Sequence, residues 1–309
     1  MRFKSTIKNI STFTKLTSSL SSLGKTAWMK LEPEEIRFTI IPDQGTQVWA
    51  VIHIDTLFED YRIASAAQNV INLQLSLDTL HRALRSAYSA SDASIRLTKR
   101  ASDGAPVLCL TITTMTSSSR LSAPVLASGN TTVTQEVPVK VLSASNVADL
   151  VEPTCPEPDV HIILPPLSQL RAISERFNRL TQASGSLSVS DSHRLLLSAN
   201  MQGEFKMQIE TDVVKVESLF RGLVNPELDP MQIEGGIENH PSTRRDRAEF
   251  AEVRVEGKEW VRLLKVYSIA KRVIACFCVG HALVLYVYLT DIDEDHSAVL
   301  TYYMSSYSA

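Results

Sequence analysis

Apolar and polar residues alternate along most of this chain with a period of two, and at four places the period lengthens to about 3.6. The first of these places predicts a helix over Lys8–Leu23, with Ile10, Phe13, Leu16, Leu20 and Leu23 on one stripe. The second runs from Ser76, a good N-cap with Asp78 in the first turn, to Tyr88, and its stripe is Leu77, Leu80 and Leu84. A third starts after Pro165-Pro166, where proline suits a first turn, and runs to Thr181 with Leu167, Leu170, Phe177 and Leu180 turned inward. The fourth, Lys258–Ile269, is expected to pack Trp260, Leu263, Leu264 and Tyr267.

The period-two stretches predict strands. In the first half they are Ala27–Leu31, Glu35–Ile41, Gln47–Ile54, Tyr61–Ala66, Ile71–Leu75, Ser94–Lys99, Val107–Met115 and Thr132–Leu142. In the second half they are Asp159–Leu164, Ser186–Ser190, Arg194–Ala199, Glu204–Glu210, Val213–Phe220, Arg272–Val279, Ala282–Leu289 and Ala298–Met304. Val273–Leu289 is apolar over nearly a spanning length, but Gly280-His281 interrupts it, so it reads as a buried hairpin rather than a membrane helix.

At the middle of the chain, Pro153, Pro156 and Pro158 forbid a helix and stiffen an extended path up to Pro165-Pro166. On either side the same order recurs: a short strand, a helix, several strands, a second helix and three more strands. The offset is about 160 residues, which reads as an internal duplication. The expected fold class is therefore α+β, with a domain at 1–142, a connector at 143–157 and a second domain at 158–309. Residues 225–247, rich in Pro, Gly and charge, read as a flexible insertion in the second copy.

The 309 residues carry a net charge of −3, which gives no overall pull toward nucleic acid. The distribution of that charge changes the picture. The helical segments 8–24, 75–89, 166–183 and 256–272 hold 12 Lys and Arg against 4 Asp and Glu, while the rest of the chain holds 19 against 30. Cations concentrated on one class of element make an electrostatic face. No aromatic residues interleave with them, so a sequence-blind contact with duplex phosphates fits better than stacking on single strands. Solvated helix surface is the plainer explanation of any one such helix, but a weaker explanation of four in an otherwise acidic chain.

Chemistry-bearing patterns are weak. Gly24-Lys25-Thr26 resembles the end of a phosphate-binding loop, yet Ser19 stands where its first glycine belongs and the segment follows a helix instead of opening one. Cys276 and Cys278, one residue apart on a strand, read as core thiols without a second ligand pair. With Cys109 and Cys155 they suggest free thiols in a reducing compartment. Asp291, Asp293, Glu294, Asp295 and His296 match no calcium template and read as a solvated turn. His53, His161 and His281 read as structural, and nothing predicts a metal, a cofactor or a catalytic constellation. A nuclease using Asp291 or Asp293 is the enzyme class left as an alternative.

Local sequence adds a resemblance. Met1-Arg2-Phe3, Ser117–Arg120, Val137–Val141, the proline-rich Glu152–Pro165 and Gly203–Thr211 resemble the Hus-type subunit of the nine-one-one DNA-damage checkpoint clamp, whose fold is that of the sliding clamp PCNA. The likeness spans essentially the whole chain. It implies a non-catalytic subunit of a ring of three different two-domain subunits around double-stranded DNA. It further implies a clamp loader related to replication factor C, repair enzymes and a checkpoint kinase activator as partners, and residence in the nucleus with a cytoplasmic pool. A homotrimeric replication clamp is the alternative within the same fold. By this resemblance the helices line the hole, placing Lys8, Lys15, Arg82, Arg85, Arg171, Arg179, Lys258, Arg262 and Lys265 toward DNA. Subunits would join by edge strands, expected at Glu136–Leu142 (Val137, Val139, Val141) and at Glu204–Glu210 (Phe205, Met207, Ile209). The connector would border a groove for partner peptides, with Val147, Leu150, Val151 and Pro153 along it.

Overall fold

A computed structural model describes residues 1–115, 130–183, 194–210, 215–228, 236–289 and 298–307. The chain forms two compact units, Met1–Ile40 with Val51–Val151 and Ile41–Ala50 with Glu152–Ala309. The short Ile41–Ala50 segment counts with the second unit because, for example, the Thr46 amide donates to Glu259 Oε2 at 3.3 Å. The Ser117–Arg120 motif, the strand expected at Ser186–Ser190 and the acidic loop Asp291–His296 lie outside the described residues.

The first unit opens with β1 (Arg2–Ile7), α1 (Ile10–Ser21), β2 (Thr26–Leu31) and β3 (Glu35–Ile40). After β4 (Gln47–His53) come the one-turn α2 (Ile54–Leu57), β5 (Phe58–Ala64), β6 (Ile71–Ser76), α3 (Leu77–Ser86), β7 (Asp92–Lys99), β8 (Pro106–Met115) and β9 (Asn130–Leu142). All ladders are antiparallel. One row runs β5–β1–β7–β8–β9 and another β3–β2–β6–β9, so β9 belongs to both.

The connector holds a single turn, α4 (Ala144–Val147), closed by a capping box between Ser143 and Asn146. The second unit then contains β10 (Val160–Ile163), α5 (Leu167–Ala183), β11 (Arg194–Ala199), β12 (Phe205–Glu210) and β13 (Lys215–Phe220). It continues with α6 (Pro241–Arg244), β14 (Ala251–Glu256), α7 (Gly257–Leu263), β15 (Arg272–Cys278), β16 (Ala282–Tyr288) and β17 (Val299–Ser305). Its rows are β10–β15–β16–β17 and β13–β12–β11–β14. The pairing order β1–β7–β8–β9 thus recurs as β10–β15–β16–β17, and β3–β2–β6 recurs as β12–β11–β14. These strands repeat the order read from the pattern, while β5, which pairs with β1, has no counterpart beside β10 among the described residues.

The predicted helix stripes form the two cores. Phe13, Leu16 and Leu20 of α1 meet Leu77, Leu80 and Leu84 of α3, all buried, with Phe3, Phe38 and Phe58 from the strands. In the second unit Leu170 and Phe177 of α5 lie with Trp260 and Leu263 of α7. Each such side chain contributes about 1.5–3 kcal/mol by leaving water. Ser76 caps α3 as expected, its Oγ accepting from the Thr79 amide at 3.4 Å. Gly24-Lys25 proves to be a helix exit: the Gly24 amide closes on Leu20 O and Lys25 O receives the Leu77 amide.

Three expectations change. The strand expected from Tyr61 begins at Phe58, because Asp60 takes a φ of 50° beside a β-bulge and breaks the alternation. The fourth helix tightens at Leu264 into a 3-10 turn, Leu264–Ser268, which brings Val266 into the core with Leu263 and Leu264 and turns Tyr267 outward. Within the segment read as a flexible insertion, α6 lies against β10 and His240 and Ser242 are buried, while Gly236–Asn239, Thr243, Arg244, Asp246 and Arg247 are exposed.

Candidate nucleic-acid interface and assembly edges

Each unit sets two helices side by side. In the first, His81 of α3 bridges to α1, its Nδ1 lying 3.1 Å from Thr14 O and 3.4 Å from Thr17 Oγ1. In the second, the Trp260 indole N–H of α7 donates to Ser174 Oγ of α5 at 3.0 Å. The apolar stripes are spent on the core, so the outward faces carry what remains: Lys8 before α1, Lys15 on it, and Arg82 and Arg85 on α3, all exposed. In the second unit Arg179, Lys258, Arg262 and Lys265 are exposed and Arg171 half-buried.

The nine cations are not equivalent. Arg171 is bound within its own helix, its Nε 2.9 Å from Glu175 Oε1, and its guanidinium stacks 5.0 Å over the Tyr267 ring. That hydrogen bond to Glu175 is the main reason its pKa stands above the ordinary arginine value. Arg262 is held 2.6 Å from Glu259 Oε1. Among the described residues, Lys8, Lys15, Arg85, Lys258 and Lys265 enter no ion pair. Arg176, exposed on α5, belongs with them. It is missed by motif reasoning because it lies off the stripe of Arg171 and Arg179, five residues beyond the first. Two residues expected in the core stand on this cationic surface instead: Leu180 and Tyr267 are 44% and 41% exposed.

The assembly edges need correction. Glu204–Glu210 is no edge, because β12 lies between β11 and β13 and is hydrogen-bonded on both sides. Phe205, Met207 and Ile209 point into the core, at 0%, 0% and 3% exposure. Among the described residues this row ends in β13, paired with β12 alone, and in β14, paired with β11 alone. Glu136–Leu142 is not a uniform edge either: β9 pairs with β8 over Asn130–Pro138 and with β6 over Val139–Leu142. Val137 and Val139 are buried and Val141 half-buried, so their side chains are inside the unit. The inward alternation that made these valines and apolar residues conspicuous marks a core face, and an edge is a property of backbone groups, which side-chain pattern does not report.

From Glu152 onward the connector lies against β15 and β17 of the second unit. Tyr303 OH donates to Glu152 Oε1 at 2.9 Å, and the Cys278 thiol lies 3.4 Å from Pro156 O. Between them is a cleft of about 700 Å³ lined by Pro153, Cys155, His161, Cys276, Tyr286 and Tyr303, among others. Burial pushes the Cys276 and Cys278 thiols up to about 12, so they stay protonated and unreactive. Of the groove residues expected from sequence, Pro153 lines this cleft; Val147, Leu150 and Val151 precede it, with Val151 73% exposed.

A family model described as Hus1-like protein matches residues 1–308. The chain belongs to the Hus1-like family. The checkpoint protein hus1 of Schizosaccharomyces pombe is 46% identical over 308 residues, covering 99% of both chains. The checkpoint protein HUS1 of Homo sapiens is 28% identical over 298 residues, 92% of this chain and 93% of the relative. Among solved structures, the proliferating cellular nuclear antigen of Entamoeba histolytica matches with a TM-score of 0.65 at 13% identity, covering 99% of both chains. The fold is therefore the sliding-clamp fold, with antiparallel sheets and paired helices in two copies. Hus1-like checkpoint proteins are clamp subunits and not enzymes.

Proposed function

We propose that this Hus1-like chain is one non-catalytic subunit of a heterotrimeric checkpoint clamp that encircles double-stranded DNA without reading its sequence. The observation that carries the reading is the recurrence, in both copies of a clamp fold, of a helix pair whose apolar stripes are buried and whose outer faces hold unpaired cations. Phosphate contacts by Lys and Arg provide sequence-independent affinity. The two different partner subunits join at backbone edges, for which the one-sided β13 and the Asn130–Pro138 stretch of β9 are the best suited. A loader related to replication factor C places the ring at damage sites in the nucleus, where it recruits checkpoint kinase activators and repair enzymes. The cleft under the connector, lined by prolines and tyrosines with Glu157, Glu227, His161 and His240, suits a peptide from such a protein.

Light scattering on the chain alone, and after co-expression with candidate clamp partners, tests the assembly. A one-to-one-to-one complex retained on circular duplex supports the proposal. A stable homotrimer of this chain replaces it with a replication-type clamp, and full retention after Lys8, Lys15, Arg82, Arg85, Lys258 and Lys265 are changed to Glu overturns the DNA face.

A further inference from the structure

Contrary to the expectation from sequence that no aromatic residues accompany these cations, the cationic helix surfaces carry exposed tyrosines. Near the end of the second helix of each unit a tyrosine stands out into solvent: Tyr88, just past α3, is 64% exposed, and Tyr267, in the 3-10 turn after α7, is 41% exposed. An exposed tyrosine at one place is ordinary surface. Here the two occur within one residue of the same place in the duplicated plan, each beside cations already assigned to the duplex: Arg85 precedes Tyr88 by three residues and Lys265 precedes Tyr267 by two.

The surroundings of Tyr267 restrict what it can do. The guanidinium of Arg171 covers one ring face at 5.0 Å, and Arg171 is itself fixed by Glu175 at 2.9 Å. A ring covered in this way is poorly placed for stacking a base. Its hydroxyl has a hydrogen to donate, and tyrosine hydroxyls are among the groups that position proteins on phosphate oxygens. The Glu175–Arg171–Tyr267 chain also explains why two charges on a DNA-facing helix are spent on each other: they hold a ring, and so reduce the entropy lost when that ring makes a contact.

Resting on the reading that the helix pairs face duplex DNA, we propose that Tyr267, with Tyr88 as its counterpart in the first unit, is a non-ionic contact to the phosphate backbone, held in place by Arg171. Such a contact differs physically from a lysine contact. A lysine that neutralises a phosphate releases counterions, so its contribution fades as salt rises; a neutral hydrogen bond releases none and persists. Two neutral contacts of this kind supply grip at salt concentrations where ion pairing has weakened.

The test is binding of a short labelled duplex to the assembled clamp over a series of salt concentrations. Changing Tyr267→Phe together with Tyr88→Phe keeps both rings and the Arg171 stack, and is expected to weaken binding about three- to tenfold at every salt concentration. The slope of log K against log salt should not move. Lys265→Ala should instead make the slope shallower by about 0.9. Wild-type affinity of the double Phe variant throughout the series overturns the proposal, and so does a loss seen on Tyr267→Ala but not on Tyr267→Phe, since packing would then explain it. Should Lys258→Ala and Lys265→Ala leave both slope and affinity unchanged, the DNA face itself is misassigned and the tyrosine contact falls with it.

Discussion

The indole of Trp260 reaches across from α7 to donate its N–H to Ser174 Oγ on α5 at 3.0 Å, in a site where both residues are buried. Ser174 in turn donates to Leu170 O of its own helix at 2.8 Å. One hydroxyl therefore sets the spacing of the two helices that carry the cations of the second unit. Replacing Ser174 by Ala leaves a buried indole donor without a partner and should lower stability by about 1–3 kcal/mol. Trp260→Ala, which also opens a cavity, should cost about 3–5 kcal/mol. Urea denaturation of the purified variants measures both, and equal midpoints for Ser174→Ala and wild type would show that the bond is dispensable.

Two glycines with similar backbone conformations should respond differently to alanine. Gly203 and Gly222 have φ of 77° and 71°. A Cβ at Gly203 would collide with the Leu223 backbone carbonyl, whereas one at Gly222 meets nothing within 4 Å. Gly222→Ala should therefore cost only the left-handed conformation, about 1 kcal/mol. Gly203→Ala must also move the backbone where Leu223 N bonds Gly203 O at 2.9 Å, and is expected to destabilise by several times as much. Thermal unfolding of the two variants side by side decides it; similar melting temperatures would contradict the collision.

His161 makes stability depend on pH. Its Nε2 lies 2.9 Å from Pro226 O, its Nδ1 is buried without a partner, and the His240 ring stands 6.1 Å away. Burial, aided by His240 and opposed by the Pro226 bond, pushes its pKa below the ordinary 6.5. As pH falls below 6.5 the unfolded chain takes up a proton that the folded chain refuses. Stability is thus complete above that value and declines from there down to the folded pKa, by at most about 1.4 kcal/mol per pH unit from this group. His161→Gln, which keeps a donor toward Pro226, should flatten that part of the profile in denaturant titrations. An unchanged slope would assign the pH dependence elsewhere.

The edge at β13 can be tested with paired proline substitutions. Alternate residues of an edge strand point their N–H groups inward to the neighbour and outward to solvent. Of Glu217→Pro and Ser218→Pro, one removes an N–H from the β12 ladder and should unfold at lower temperature. The other should keep its melting temperature yet fail to enter the clamp complex in size-exclusion chromatography with light scattering. If the well-folded variant still assembles, β13 does not join a neighbour.

Much of this architecture is legible in the sequence because burial imposes periodicity. Leu77, Leu80 and Leu84 can only be a helix stripe, and Ser76 before Asp78 can only be its start. The hairpin of β15 and β16 follows from Gly280, which indeed takes a φ of 76° in the turn. The misreadings share a cause. Side-chain alternation identifies a strand but not its neighbours, so β12 reads the same as the end strand β13. Tyr267 and Leu180 fit a helical stripe until the winding of the 3-10 turn and the width of the buried face are known. Arg171 reads as a free cation because nothing in its spacing says that Glu175 and Tyr267 hold it. The cations themselves were legible, since charge that no core can bury has to stand at the surface.

The division of β9 between two rows of strands has a mechanical meaning. Its first nine residues are stitched to β8 and its last four to β6. A pull that would peel one row away must load the covalent strand and shear the other ladder along its length, with many hydrogen bonds strained together instead of one after another. The first unit therefore has no seam along β9 at which it can open one bond at a time.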